Sequence, residues 1–437
     1  MLDQLLVHQV RRRLETAGLP LVVELWNGQQ VGQDPLAAVR VRLHQATGLR
    51  TMADPSLGAL ARAYVEGEID LEGDIRDILA LGDQWCNAGN CKPRTRSAAW
   101  KWWRHTRSQD RKNIQYHYDV SNDFYGLWLD ARRVYSCAYF KSPEMTLEAA
   151  QVAKLDHICR KLALKPGEQF LDIGCGWGGL ILHAAECYGV HATGITLSDD
   201  QHKYVREQIA LRGLSARVEV RTMDYRDVPA RTGYDKIASV GMIEHVGHAN
   251  LAAYFDKISM LLKPGGLMLN HGITTAEPSA SGLGSGIAEF IDDYVFPGGE
   301  LVHASDILRA AANSGLECLD AENLRPHYGK TLWNWVASLE SQAAEARTLI
   351  GERKYRIWRI YMGGSAYAFE HGWMELWQVL AGKRVDGRQP NYPFVRDFMY
   401  REARMAACGT TAEFTARGDP IPDPPGKPGL PSVPDGW

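Results

Sequence analysis

A run of glycines directly after a hydrophobic stretch is the feature that most constrains the fold of this chain. Residues 170–180 read FLDIGCGWGGL, an extended apolar segment that leads into glycines and then into a helical pattern. Glycines at such a turn let the backbone approach a nucleotide closely. Strands alternate with helices here, and the predicted strands are 169–173, 191–196, 218–221, 236–240 and 267–270. This alternation predicts an α/β fold with a parallel sheet flanked by helices.

The acidic residues near the glycines discriminate between two classes of nucleotide ligand. Gly174, Gly176 and Gly179 formally match the dinucleotide pattern G-x-G-x-x-G, but a dinucleotide fold also needs an acid at the tip of the second strand. Residues 194–198 read GITLS and supply no acid. Asp172 lies instead in the end of the first strand, where it would oppose a diphosphate but suits a ligand with an ammonium and a sulfonium. S-adenosylmethionine is such a ligand, so the chain resembles the class I methyltransferase (Rossmann-like) fold, with a nicotinamide enzyme as the alternative.

Composition limits the remaining classes. A chain of 437 residues, 45% hydrophobic and 23% charged, is long enough for one large domain and a smaller one. It has no apolar run of about eighteen residues, the length a membrane helix needs, and Asp3 precedes any cation, which argues against a signal peptide. The eight cysteines are scattered, so neither a disulfide framework nor a metal site is predicted. We therefore expect a cytoplasmic protein.

The chain divides into segments of different composition. The predicted segments are a smaller, mainly helical, lipid-associated N-terminal domain at 1–90, a basic aromatic linker at 91–112, a methyltransferase catalytic domain at 113–415 with a lid insertion at about 274–300, and a proline-rich disordered tail at 416–437. Within the N-terminal domain, the acidic stretch AYVEGEIDLEGDI at 63–75 is interpreted as a solvated turn.

The linker combines cations with tryptophans. Residues 92–112 read KPRTRSAAWKWWRHTRSQDRK, with eight Lys or Arg against one acid, Asp110. Each cation near an anionic bilayer contributes about 1 kcal/mol, and tryptophans prefer the headgroup layer. A solvated linker helix and a single-strand nucleic-acid groove are the alternatives. We expect a membrane surface as the partner and no nucleic acid.

Several short motifs share one family pattern. They are HYDVSN at 117–122, YSCAYF at 135–140, TLS at 196–198 with Gln201, EHVG at 244–247 and HGI at 271–273. In this order they resemble the cyclopropane-fatty-acyl-phospholipid synthase family, which includes the mycolic acid methyltransferases. The N-terminal domain resembles that of the longer, phospholipid-acting members. The resemblance implies S-adenosylmethionine-dependent methylene transfer to the cis double bond of an acyl chain in a membrane phospholipid, which forms a cyclopropane. The alternative is a related enzyme that gives methylene- or methyl-branched chains.

This chemistry accounts for a cysteine among aromatic rings in the segment RVYSCAYFKS at 133–142. An alkene that attacks a sulfonium methyl leaves a carbocation, and ring faces shelter a cation by about 0.5 to 2 kcal/mol each, whereas a nucleophile would trap it. The residues expected to line the substrate and cation site, beside Tyr135, are Tyr139, Phe140, Phe290, Tyr294 and Phe296. A proton must then leave the transferred methyl, which requires a base.

The resemblance implies that the base is a bicarbonate ion held in the pocket. The matching catalytic positions are Cys137, Glu244, His271, Ile273 through its backbone, and Tyr328. Cys137 would help to position the anion and would not be a nucleophile. The matching positions for S-adenosylmethionine are Tyr135, Ser136, Asp172, Gly174, Gly176, Gly178, Thr196, Gln201, Met223 and Asp224. Taken singly, Glu244 and His245 also suit the cap of a helix start, a lone histidine such as His271 is more often structural than catalytic, and Tyr328 also suits an ordinary core position.

Two positions depart from the family pattern. Ser365 stands where family members usually have a cysteine, and Val302 stands where they usually have a proline after the turn at 296–299. The first puts an essential thiol in doubt, and the second bears on the lid and the acyl tunnel. By analogy with the family, we also expect a homodimer that associates peripherally with the inner face of the membrane.

Overall fold

The computed structural model describes residues 2–32, 37–87, 121–230, 233–278, 286–386, 390 and 392–400. The predicted basic linker at 91–112, the proline-rich tail at 416–437, residues 117–120 of the motif at 117–122 and residues 279–285 of the predicted lid lie outside these ranges.

The N-terminal unit contains both helices and strands. Its elements are α1 (Leu2–Ala17), β1 (Leu21–Glu24), β2 (Gln30–Val31), β3 (Val39–Leu43), α2 (Thr47–Ala53), α3 (Leu57–Val65), β4 (Ile69–Glu72) and α4 (Ile75–Asn87). The helices span 16, 7, 9 and 13 residues and the strands 4, 2, 5 and 4, so helix predominates as predicted. The strands form a sheet in the order β2-β1-β3-β4, which was not predicted.

The acidic stretch at 63–75 is not a solvated turn. Residues Ile69–Glu72 form β4, which pairs antiparallel with β3, and Ile69 is fully buried. The prediction was wrong because the acids alternate with apolar residues, and that period of two buries one face of a strand while its acids face solvent.

The catalytic unit follows in alternating strands and helices. Its elements are α5 (Asn122–Gly126), α6 (Leu147–Lys161), β5 (Gln169–Ile173), α7 (Gly179–Tyr188), β6 (His191–Thr196), α8 (Asp199–Leu211), β7 (Val218–Thr222), β8 (Tyr234–Val240), α9 (Ile243–Val246), α10 (Leu251–Leu261), β9 (Leu262–Thr275), α11 (Ile287–Tyr294), β10 (Val302–His303), α12 (Ala304–Asn313), β11 (Leu316–Asn323), α13 (Arg325–Ser341), α14 (Ala343–Glu370), β12 (Met374–Lys383) and α15 (Asp397–Tyr400).

The second sheet has the strand order β11-β12-β9-β8-β5-β6-β7, with β10 paired to β9. Strands β7, β6, β5, β8 and β9 run parallel, as predicted, and β12 runs antiparallel between β9 and β11. Parallel strands bring their carboxyl ends to one edge, which is where ligands bind in such sheets. The glycine loop follows β5 at that edge.

The two units share one hydrophobic core. A single cluster of buried side chains runs from Val10 and Leu43 in the N-terminal unit to Trp335 and Leu376 in the catalytic unit. Helix α3 packs on α11, which belongs to the predicted lid, and a Cβ atom on Gly58 would overlap with the backbone of Gly286. In the described part of the chain, the helices are too short or too polar to cross a membrane.

Candidate active site

The glycine loop has the backbone geometry that its sequence predicts. Gly174, Gly176 and Gly178 adopt positive φ angles of 82°, 53° and 83°, a region that side chains other than glycine seldom enter. A Cβ on Gly174 would also lie 2.6 Å from Cγ of Met242. Glycine is therefore required at position 174 both by backbone conformation and by close packing.

A cavity of about 140 Å³ lies beside this loop, and we refer to it as the glycine-loop pocket. Every residue predicted to bind S-adenosylmethionine lines it except Gly178. Gly178 instead begins α7, where a Cβ would meet the side chain of Val205 at 3.0 Å. Its role is therefore to let α8 pack against the loop.

Helix α8 presents Gln201 to the pocket. Gln201, Val205 and Ile209 are the buried residues of this helix and recur at a spacing of four, so they lie on one face. Thr196 Oγ1 donates to Gln201 Oε1 at 2.7 Å, and Ser198 caps the helix by accepting from the backbone N–H of Gln201. The tip of β6 and the start of α8 are thus held together at the pocket.

Two carboxylates in this pocket differ in their partners. Asp224 accepts from Nε and Nη2 of Arg226 at 2.8 and 2.6 Å. Asp172 is 2% exposed and its Oδ1 has no hydrogen-bond partner in the described structure. Burial raises the pKa of Asp172 to about 7, and the charge of Lys154 opposes this rise. An unpartnered buried carboxylate suits the ammonium of an aminoacyl group, so these residues fit S-adenosylmethionine.

A second, larger cavity of about 800 Å³ lies between the two units, and we refer to it as the apolar cavity. All five predicted catalytic residues line it: Cys137, Glu244, His271, Ile273 and Tyr328. They come from the loop before α6, from α9, from β9 and from α13. The structure therefore brings together side chains that are up to 191 positions apart, between 137 and 328.

Glu244 is buried and only half satisfied. Its Oε1 accepts from the backbone N–H of Ile273 at 2.6 Å, whereas Oε2 has no partner among the described residues. Burial raises the pKa of Glu244 to about 7, against the opposing effect of the Ile273 hydrogen bond. Within the described part of the chain no side chain caps α9, so the helix-cap interpretation of Glu244 is wrong.

The same hydrogen bond corrects the prediction for Ile273. Its backbone N–H was expected to donate to the anion, but that N–H donates to Glu244. Ile273 therefore orients Glu244 in this structure and does not offer a free donor to the cavity.

His271 lies on β9 and shares the wall of the apolar cavity with Glu244. It is 1% exposed, and its Nδ1 lies 3.1 Å from Nε2 of Gln378. An amide nitrogen can only donate, which makes Nδ1 the acceptor and leaves the proton on Nε2. Nε2 has no partner among the described residues. Burial lowers the pKa of His271 well below its usual value, helped by nearby Lys154 and Lys161, so the ring is neutral and offers one N–H.

Cys137 and Tyr328 complete this wall. Cys137 is fully buried, its Sγ lies 3.2 Å from the carbonyl oxygen of Ala138, and burial raises the pKa of the thiol far above its usual value. A thiol without thiolate character is a poor nucleophile, which agrees with the predicted non-nucleophilic role. The ring of Tyr328 packs 4.7 Å from that of Phe369.

The comparisons with known proteins identify the family. A family model described as mycolic acid cyclopropane synthetase matches residues 105–379, and a model described as a domain of unknown function matches residues 11–84. The chain belongs to the mycolic acid cyclopropane synthetase family. A probable fatty acid methyltransferase of Pseudomonas putida is 44% identical over 398 residues, which are 90% of this chain and 99% of that protein.

A mycobacterial relative and a solved structure extend the comparison. Cyclopropane mycolic acid synthase 1 of Mycobacterium tuberculosis is 38% identical over 283 residues, 62% of this chain and 96% of that protein. The crystal structure of mycolic acid cyclopropane synthase CmaA1 complexed with SAH and CTAB has a TM-score of 0.59 and 36% identity, and covers 62% of this chain and 98% of that chain. The fold is therefore that of class I methyltransferases, and the chain is an enzyme of this S-adenosylmethionine-dependent, lipid-modifying family.

The aromatic residues predicted to line the substrate site divide into two groups. Phe290 and Phe296 line the apolar cavity, but Tyr139, Phe140 and Tyr294 are not among its described lining residues. The ring of Tyr139 is stacked between the rings of His157 and His327, with 4.3 and 4.9 Å between the ring centroids. The prediction was wrong for these three because each ring packs against other partners outside the cavity.

Phe140 and Tyr294 have other partners. Phe140 receives Lys330 over its ring at 4.7 Å. Tyr294 stacks on Phe290 at 4.9 Å and donates its hydroxyl to Glu66 Oε1 at 2.8 Å. Tyr294 thus links the predicted lid to the N-terminal unit.

Sequence reasoning also missed residues that line the cavities. The missed residues of the N-terminal wall include Val41, Leu60, Ala61, Leu71, Leu79 and Trp85. Lys154 in the glycine-loop pocket was missed as well. Its signal was available, since Lys154 lies one helical turn from Ala150 and one from His157 on the buried face of α6.

The two cavities meet. Four residues line both the glycine-loop pocket and the apolar cavity: Tyr135, Ser136, Gly241 and His245. Ser365 and Val302, the two departures from the family pattern, line the apolar cavity. A group bound at the glycine loop can therefore face a chain bound in the apolar cavity across this junction.

Proposed function

We propose that this enzyme transfers a methylene group from S-adenosylmethionine to the cis double bond of an unsaturated acyl chain in a membrane phospholipid, forming a cyclopropane. One observation supports this most directly. The half-satisfied pair Glu244 and His271 lies on the wall of a mainly apolar cavity that opens into the glycine-loop pocket through Tyr135, Ser136, Gly241 and His245.

The apolar cavity suits a hydrocarbon chain. Aliphatic and aromatic side chains of both units form most of its wall, and burying an acyl chain there is favourable by about 0.8 kcal/mol for each CH₂ group. When bound, S-adenosylmethionine supplies an electrophilic methyl group. The rings of Tyr135, Phe296 and His245 near the junction would shelter the cation that forms on the acyl chain, and the protonated thiol of Cys137 would not trap it.

The polar atoms of this wall fit a small anion. His271 offers the Nε2 N–H, Tyr328 a hydroxyl, and the carboxyl group of Glu244, with its pKa of about 7, can share a proton at Oε2. These residues would hold bicarbonate, which would supply the base for the proton that leaves on ring closure. A charged side chain as the base would carry a desolvation penalty of several kcal/mol in the same place.

The enzyme would reach its phospholipid substrate at a membrane surface. The basic segment at 92–112 supports a peripheral contact with an anionic bilayer. Neutralising Arg104, Arg107, Arg111 and Lys112 together should weaken vesicle binding in a salt-dependent way, measured by co-sedimentation at low and high salt. Unchanged binding would assign the segment to a solvated linker.

The proposed homodimer is tested by light scattering of the purified protein.

A branched-chain product is the second candidate. The relative that spans 90% of this chain is named a fatty acid methyltransferase, whereas the cyclopropane mycolic acid synthase matches 62% of it. The same cation would then lose a different proton to give a methylene branch, or accept a hydride from an external reductant to give a methyl branch.

One experiment separates these outcomes. The purified protein is incubated with S-adenosylmethionine, bicarbonate and vesicles of a monounsaturated phospholipid, and the acyl chains are examined by mass spectrometry and proton NMR. A gain of one CH₂ with cyclopropane ring protons supports the main proposal. The same mass gain with new olefinic protons supports the methylene-branched form of the second candidate. A saturated methyl branch needs a hydride donor, so in a parallel assay with a nicotinamide reductant added it would appear as a gain of CH₄ with a new methyl signal. Unmodified lipid despite donor binding would overturn the proposed substrate.

A further inference from the structure

Helix α6 buries two lysines, Lys154 and Lys161, of which Lys154 lines the glycine-loop pocket. Lys154 is 1% exposed, and its ammonium reaches the wall of the glycine-loop pocket. It is not among the described residues that line the apolar cavity. Lys154 therefore faces the methyl donor and is not placed to act on the acyl chain.

The hydrogen bonding of this ammonium is incomplete. Nζ donates to Ser136 Oγ at 2.8 Å, and the described residues provide neither a second acceptor nor a carboxylate within ion-pair distance. The nearby carboxylate of Asp130 already accepts from the backbone N–H groups of Arg132 and Val134, at 3.0 and 2.8 Å. Burial lowers the pKa of Lys154 to about 8, and Asp130 opposes this, so the amine remains largely protonated at neutral pH. A buried ammonium with unused N–H groups is costly unless a ligand completes it.

The same pocket contains a carboxylate oxygen that lacks a hydrogen-bond donor among the described residues. Asp172 Oδ1 is buried without a partner, and the charge of Lys154 acts on the pKa of Asp172. A cation and an anion thus line one small cavity without forming an ion pair with each other. An α-amino acid group, which carries an ammonium and a carboxylate on one carbon, is the complementary ligand.

We propose that Lys154, together with Ser136, binds the α-carboxylate of the methionine portion of the donor, while Asp172 binds the α-ammonium. The inference rests on S-adenosylmethionine being the donor but not on the lipid substrate. It makes Lys154 a specificity residue that distinguishes an intact aminoacyl end from a truncated one.

The decisive comparison uses two ligands that differ in this carboxylate. S-adenosylmethionine and decarboxylated S-adenosylmethionine both carry the adenosine, the sulfonium and an amine. Titration calorimetry without lipid measures the dissociation constant of each for the wild-type protein. A charged hydrogen bond contributes about 1.5 to 3 kcal/mol, so the intact donor should bind about tenfold to a hundredfold more tightly.

A variant then assigns this preference to one side chain. Lys154→Met should reduce the ratio of the two dissociation constants to about one, mainly by weakening the intact donor. A general loss of packing or an altered Asp172 affects both ligands and cancels in the ratio. Lys154→Arg should keep most of the preference, and Lys165→Met, which removes an exposed lysine, should leave the ratio unchanged.

The outcomes are distinct. If the wild-type protein binds both ligands with equal affinity, the inference is wrong. This test uses the wild type alone, so it does not depend on whether the Lys154→Met protein folds. A preserved ratio in a folded Lys154→Met protein, checked by thermal unfolding, also overturns the inference. Because lipid is absent, failure of the proposed cyclopropanation leaves these binding results unaffected.

Discussion

At the scale of single residues, Glu244 shows that an arrangement suited to function can lower the stability of the fold. Its carboxyl group is buried with one oxygen unpartnered, an arrangement that costs stability and is useful only if a ligand completes it. Two predictions about one isosteric substitution follow from this arrangement.

Glu244→Gln should lower turnover by about a hundredfold or more, because an amide cannot share the proton that an acid-base group provides. Binding of S-adenosylmethionine should be unchanged, since Glu244 lines the apolar cavity and not the glycine-loop pocket. Product formation by mass spectrometry and donor binding by calorimetry measure the two effects. Glu289→Gln, on the same cavity wall, is the matched control. Wild-type turnover in Glu244→Gln would remove Glu244 from the mechanism.

The same variant should be more stable than the wild type at pH 8. The pKa of Glu244 is about 7 in the folded protein against 4.5 for the ordinary side chain, so folding favours the protonated form. The wild type then loses stability as pH rises from about 4.5 to about 7, whereas glutamine does not titrate. The free energy of unfolding, measured in urea, should differ by on the order of 3 kcal/mol at pH 8 and by little at pH 4.5. Equal stability at both pH values would contradict the raised pKa.

Motif residues could be predicted from the sequence, and an isolated buried charge could not. Gly174 and Gly176 of the glycine loop, and Cys137, Glu244 and His271 of the other motifs, fall on the two cavity walls as expected. Lys154 has no motif, and a lysine on a helix is ordinarily solvated. The prediction that Tyr139 and Phe140 line the substrate site was wrong for a related reason. A run of aromatic residues does not show which of the rings face the cavity.

At the scale of elements, the contact between α3 and α11 is the tightest link between the N-terminal unit and the predicted lid. Nη1 of Arg62 lies 2.5 Å from Oδ2 of Asp293. Arg353 and Tyr294 both donate hydrogen bonds to Oε1 of Glu66. Exposed ion pairs contribute little stability by themselves. The close approach of Gly58 to Gly286 therefore determines the spacing of the two helices.

Gly58→Ala should separate these helices, because the added methyl group would occupy the position of the Gly286 backbone. Overpacking of this kind costs about 1 to 3 kcal/mol, measured by chemical unfolding. Gly82→Ala is the control, since its methyl group would meet Leu57 at an ordinary 3.8 Å. If Gly58→Ala is no less stable than Gly82→Ala, the two helices are not packed this closely.

Parallel strands were predictable as elements because each is a short apolar run followed by a turn and an amphipathic helix. The antiparallel strands β11 and β12 were not predicted. Strand β11 reads LECLDAEN, in which polar residues are as numerous as apolar ones, and its pairing with β12 joins segments on either side of two long helices. No local pattern specifies such a pairing.

At the scale of the whole molecule, the apolar cavity lies where two units meet, and neither unit forms it alone. This placement could not be predicted, because the sequence of each unit shows which side chains are apolar but not which of them face the other unit. The prediction of a separate N-terminal domain therefore missed its contribution to the cavity wall.

Substituting Ala61 with tryptophan should shorten the space available to an acyl chain. Ala61 lines the cavity from the N-terminal side, far in sequence from the catalytic positions. The variant should retain donor binding and shift its preference toward shorter monounsaturated chains, measured by competition between two phospholipids in one vesicle. Leu211→Trp, at a site that is 79% exposed, is the control. An unchanged chain preference in Ala61→Trp would exclude the N-terminal wall from the acyl site.

A cavity of about 800 Å³ within a hydrophobic core has a further consequence for the life of the protein. Protein interiors are close-packed, and an unfilled apolar space forfeits the contacts that its walls would otherwise make. A bound acyl chain would complete the core, and a ligand that binds the folded state alone protects it by mass action. We therefore expect protease resistance to rise when vesicles of unsaturated lipid are added, which limited proteolysis measures. The supply of unsaturated chains would then govern how long each enzyme molecule survives, as well as how fast it works.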